Sequence, residues 1–139
     1  MSKTILRALL LLFGVIALIT GGASAFGGTV GDLQLAGLIS PLVLSTVEGA
    51  VVDNNFRFFG GVWMGVGFML LYSVVRWEDN VVPIRFAALA IFIGGLGRMM
   101  PWLSGDLVPE MMYPPIVLEI VVMPLLVFWD SRIRAKQAA

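Results

Sequence analysis

Four stretches of this chain are each apolar and long enough to cross a bilayer, and no other feature limits the fold so severely. A spanning helix needs roughly 20 mostly apolar residues. The stretches run from Ile5 to about Ala25, Phe56 to Trp77, about Val82 to Leu103, and about Met111 to Trp129. The second is free of charge from Phe58 through Val75. The third carries Arg98 deep inside, and the fourth carries Glu119. Of the 139 residues, 59% are hydrophobic and 13% are charged. Soluble domains have about 25% charged residues, and a single core of this size could not hide so much apolar surface. The expected fold is an all-α membrane protein, a single domain over residues 1–139. It is a four-transmembrane-helix bundle with a short extra helix in the long outer loop.

The first stretch has a second reading. Lys3 and Arg7 precede a Leu-rich run, and Ala23-Ser24-Ala25 has the small-residue pattern of a signal-peptidase site. The retained helix is the reading adopted. Cleavage would leave an odd number of crossings and place the new N-terminus outside.

Basic residues set the orientation, because cytoplasmic loops carry the excess of Lys and Arg. Lys3, Arg7, Arg76, Arg85, Arg132, Arg134 and Lys136 fall on one side of a four-pass chain. Only Arg57 and Arg98 fall toward the other, where the loops carry Asp32, Glu48, Asp53, Asp106 and Glu110. Both termini are therefore expected to be cytoplasmic. Tyr72, Trp77 and Trp129 then fall at the inner interface, and Trp102 and Tyr113 at the outer one, where aromatic rings concentrate.

The connections differ in kind. Residues 77–80 form a tight inner turn, and Ser104-Gly105-Asp106 with Pro109 forms a short outer loop. Residues 26–55 form a long, weakly polar outer loop. Within it Ser40-Pro41 reads as a helix cap followed by Pro at the first helical position. A helix from Pro41 to about Gly49 is too short to span and is expected to lie on the membrane surface.

Lipid tails are as apolar as Leu, so spanning helices associate through small residues that let backbones approach. Gly60, Gly61 and Gly65 on the second span, and Gly94 and Gly95 on the third, are the expected packing positions. They line a face within one chain or between two copies, so a homo-oligomer is also compatible.

Charges inside a span are costly and usually face the bundle interior. Arg98 lies five residues before Leu103, and Glu119 six residues after Tyr113. At ~1.5 Å per residue both sit roughly 8–9 Å below the outer ends of their helices. Opposite charges at one depth on consecutive antiparallel helices point to an ion pair. Arg57, Asp53, Asn54, Asn55 and Glu48 are expected to join them in a polar cluster near the outer surface. Pro124 cannot donate to the carbonyl of Ile120, so a kink is expected beside Glu119. The cluster reads either as a clamp that holds helix registry or as a clamp that also lines a ligand pocket.

Several other chemistries are closed, though carboxylate chemistry and a hard-cation site of oxygen ligands stay open. The chain has no Cys and no His, which removes disulfides, thiolate catalysis and Ser-His-Asp devices. No metal-ligand spacing, P-loop or dinucleotide fingerprint occurs, so no metal or cofactor is expected. Net charge is zero, with no basic patch for nucleic acid.

The block Asp53-Asn54-Asn55-Phe56-Arg57-Phe58-Phe59-Gly60-Gly61, and the run from Arg85 through Gly94-Gly95-Leu96-Gly97-Arg98, carry a family resemblance. Over about residues 45–130 the chain resembles a family of small bacterial four-helix inner-membrane proteins classed as a domain of unknown function. It is more distantly similar to DoxX-like membrane proteins, some of which accompany quinone-linked oxidoreductases. The resemblance implies a multi-pass protein of the bacterial inner membrane, and the DoxX-like relation adds quinone to the expected partners. The function expected is non-enzymatic binding of a membrane lipid, a quinone or another membrane protein through the outer cluster. The alternatives are an accessory subunit of a larger membrane complex, and a lipid-modifying or isomerising enzyme using Glu119 as acid or base.

Overall fold

The computed structural model describes residues 2–37, 46–77, 81–105 and 108–138. All regular structure in them is helical. Four helices are long and apolar enough to cross a membrane. The first is α1 (Lys3–Leu35), the second α2 (Val47–Val75) and the third α3 (Val82–Ser104). The fourth is composite: a 3-10 turn (Glu110–Met112), α4 (Tyr113–Val117), a π turn (Leu118–Val122) and α5 (Met123–Ala138).

α1 and α2 run beyond their apolar stretches into residues 26–55, which corrects the loop expected there, and the fourth helix likewise continues past Trp129. Hydropathy marks where a helix leaves the hydrocarbon, whereas hydrogen bonding decides where it stops. α2 starts at Val47, nine residues ahead of Phe56, because Thr46 caps it: its Oγ1 accepts the Gly49 N–H at 3.0 Å. Glu48 lies in the first turn, where the helix dipole favours a negative charge. Asp53, Asn54 and Asn55 therefore sit on a helix. The expected short helix from Pro41 lies mostly outside the described residues. α1 likewise continues past Ala25 to Leu35, but it breaks at Gly28 (φ 62°, ψ −149°). That conformation is open almost solely to glycine.

The chain forms two compact units, Leu10–Val75 and Met1–Leu9 with Arg76–Ala139. In the first, α1 and α2 run antiparallel on glycine contacts. A methyl group at Gly14 or Gly67 would run into the opposite helix, as would one at Gly21 or Gly60. Trp63 Nε1–H donates to Thr20 Oγ1 at 2.8 Å across the same seam.

In the second unit, α3 and the fourth helix meet along 3-4 spaced stripes. Ile84, Ala88, Ile91 and Gly95 are buried on α3. Ile116, Glu119, Met123, Leu126 and Asp130 are buried opposite. This spacing is that of antiparallel helices crossing at a shallow angle. The outward faces carry bare apolar side chains such as Phe68, Phe86, Ile93, Leu103 and Phe128. Between 22% and 28% of each span's apolar window is buried, so most of it needs a lipid environment.

The expected packing glycines divide. Gly60 and Gly95 are buried in close contacts, while a Cβ at Gly61, Gly65 or Gly94 would meet nothing within 4 Å from another part of the described residues. One turn of a helix presents several glycines, and only those facing the neighbour matter for approach. Trp77, one of the aromatics expected at the inner interface, packs within its own chain. It is 1% exposed, beneath Arg134, whose guanidinium carbon stands 4.6 Å from the ring centroid.

Candidate functional site

The seven polar residues expected in one cluster belong to two units. Glu48, Asp53, Asn54, Asn55 and Arg57 lie in Leu10–Val75, and Arg98 and Glu119 in the other unit. The two sets do different work.

In the first set, Asp53 and Arg57 repair the break in α1. A break exposes a carbonyl on one side and an N–H on the other, and both need partners away from water. Arg57 Nη1 donates to the Phe26 carbonyl at 2.7 Å. Asp53 Oδ1 accepts the Thr29 N–H at 2.9 Å and the Thr29 hydroxyl at 3.2 Å. Arg57 Nε donates to Asp53 Oδ2 at 2.8 Å, one turn away on α2, which holds the two caps together. A Cβ on Gly28 would collide with the Asp53 carboxylate. Past the break, Asp32 turns back far enough to accept the Ser24 hydroxyl at 2.7 Å. Glu48, Asn54 and Asn55 are exposed and have no side-chain hydrogen bond among the described residues.

The second set is built differently. Arg98 continues the buried α3 series one turn beyond Gly95, and Glu119 continues the Ile116 stripe. Gly95 makes the approach possible, because a Cβ there would stand 2.7 Å from Glu119 Cβ. Arg98 Nε lies 3.2 Å from Oε1 and 3.1 Å from Oε2 of Glu119. The N–H is directed at Oε1, and among the described residues the buried Oε2 receives no hydrogen bond. Arg98 Nη1 reaches the Met112 thioether at 3.6 Å, a weak acceptor. The Arg98 side chain is 48% exposed and that of Glu119 9%, so the acid sits behind the base.

The backbone at Glu119 is irregular. Leu118–Val122 is a π turn, in which the Met123 N–H reaches the Leu118 carbonyl. Pro124, which has no N–H to give Ile120, follows directly. The irregularity expected beside Pro124 thus takes the form of a π turn, a feature frequent at functional sites.

Two groupings escaped sequence reasoning. Trp102 lies one turn beyond Arg98, and its ring stands 5.3 Å from that of Tyr113, next to Met112. The four-residue spacing of Arg98 and Trp102 was the available signal, but which helix faces Trp102 depends on the turn at Glu110–Met112. The other grouping is Asp130, fully buried, whose Oδ1 accepts Arg134 Nε at 2.8 Å. Asp130 Oδ2 and Trp77 Nε1 have no hydrogen-bond partner among the described residues. The i,i+4 spacing of Asp130 and Arg134 was legible, yet such pairs are usually solvated. A further groove of about 310 Å³, lined by Val81, Val82, Arg85, Phe86 and Leu89, is an open strip at the opposite end of α3.

Among the described residues no group of acidic side chains is suited to hold a metal ion. No curated protein and no solved structure matches the chain. Residues 5–130 match a family described as a domain of unknown function, DUF4345. With nearly its whole length matched, the chain belongs to the DUF4345 family.

Proposed function

We propose that this chain is a multi-pass protein of the bacterial inner membrane, with both termini cytoplasmic, that binds a membrane-resident amphiphile at Arg98 and Glu119 in the outer leaflet. The occupant is a lipid or a quinone, the latter suggested by the resemblance to DoxX-like proteins. The observation that carries the reading is Arg98: a half-exposed guanidinium on a spanning helix, held from behind by a buried carboxylate. Unmet donors in hydrocarbon are costly, so intramembrane charges usually mark a site. Asp53 and Arg57 are engaged in capping α1 and are assigned a structural role. Binding is favoured over acid/base chemistry because Glu119 is buried behind Arg98.

Native mass spectrometry of the full chain extracted in mild detergent tests the reading. Wild type is expected to retain an amphiphile that Arg98→Gln and Glu119→Gln release. Variants that assemble normally and keep the same adducts overturn it. A second reading, an accessory subunit of a larger complex, is supported by the open faces at Gly61, Gly65 and Gly94. A partner chain that co-purifies in fixed ratio would favour it.

A further inference from the structure

We infer that the Arg98–Glu119 site selects an uncharged, carbonyl-bearing amphiphile over one with an anionic headgroup. The inference rests on the binding reading above and names the ligand class for that site. The donor inventory of Arg98 is the starting point. A guanidinium has five N–H groups. The Nε–H is taken by Glu119, and one on Nη1 faces the Met112 sulfur. The others have no partner among the described residues, and the side chain is half exposed. The site therefore calls for an oxygen acceptor.

Charge decides which acceptor. The Glu119 carboxylate lies against Arg98 Nε with both oxygens within 3.2 Å, so the pair is formally neutral. A phosphate or carboxylate drawn to Nη1 and Nη2 would meet the negative charge of Glu119 in a medium that screens little. An ester or ketone oxygen accepts the same hydrogen bonds without that opposition. The flanks suit such a molecule. Trp102, one turn beyond Arg98 on α3, and Tyr113, next to Met112, pack against each other, are exposed, and present flat, largely apolar faces. The selectivity thus resides in Glu119, which cancels the charge of Arg98 while leaving its outer donors free.

The test uses the full chain in dodecyl maltoside, a detergent without carbonyl groups. Three probes with matched chains are titrated by native mass spectrometry: dioleoylglycerol, its dioleyl ether analogue, and dioleoyl phosphatidate. Wild type is expected to bind dioleoylglycerol at least tenfold more tightly than the ether, and phosphatidate no more tightly than dioleoylglycerol. Glu119→Gln, which uncovers the charge of Arg98, is expected to shift preference at least tenfold toward phosphatidate. Equal binding of ester and ether, or tenfold tighter binding of phosphatidate by wild type, overturns the inference and leaves the binding reading standing. If wild type binds none of the three and retains no native amphiphile, the binding reading falls too. The wild-type comparison stands without any variant, so a misfolded Glu119→Gln does not remove the test.

Discussion

A methyl group separates the glycines that matter from those that do not. At Gly95 it would press on Glu119 and Ile120, and at Gly94, one residue away, it would meet nothing within 4 Å among the described residues. Gly95→Ala is expected to destabilise by about 1–3 kcal/mol, the usual range for overpacking, and to displace Glu119. Gly94→Ala should be neutral or stabilise by up to about 1 kcal/mol, since alanine is the better helix former. Thermal unfolding in detergent distinguishes the two. Gly28 combines a positive φ with contact against Asp53, so Gly28→Ala is expected to lose about 2 kcal/mol or more. Asp130→Ala would leave the Arg134 guanidinium beside Trp77 without its acceptor. Breaking a buried pair from one side costs about 3 kcal/mol, and the loss should appear as a lower unfolding midpoint.

Among elements, the fourth helix offers the sharpest test, because one residue accounts for its irregularity. Pro124→Ala restores a donor for the Ile120 carbonyl. It is expected to convert Leu118–Val122 to α-helical bonding and rotate Glu119 away from Arg98. Hydrogen exchange should show slower exchange across residues 118–125, together with loss of whatever wild type binds. The same element shows what could be read from residues alone. Its start near Met111, its buried acid and the disturbance at Pro124 followed from the apolar run and missing hydrogen-bond capacity, both local properties, whereas its continuation past Trp129 to Ala138 did not. The placement of Tyr113 against Trp102 did not follow, because it depends on a three-residue turn that sets the rotation of the helix. α1 and α2 fail in a different way. Their apolar runs were plain, yet α2 extends well ahead of Phe56 and α1 well past Ala25. Caps such as Thr46, and partners supplied by another helix, are invisible to a hydropathy window. Asp53 and Arg57 were singled out because they are charged near a span. Their task of capping α1 required knowing that Gly28 breaks it.

At the scale of the whole molecule, the chain's lack of cysteine makes its topology directly measurable. Single cysteines can be introduced on an unreactive background and labelled with a membrane-impermeant maleimide in intact cells and in inverted vesicles. With both termini cytoplasmic, Lys3→Cys and Lys136→Cys should react only from the cytoplasmic face, and Asp32→Cys and Glu110→Cys only from the other. Termini that react from opposite faces would contradict four crossings. The bend in α1 bears on how the molecule is made. Gly28 emerges from the ribosome before Asp53 and Arg57, which supply the bonds that its two broken helical ends lack. The contour of α1 past Gly28 therefore depends on partners supplied by a helix made after it.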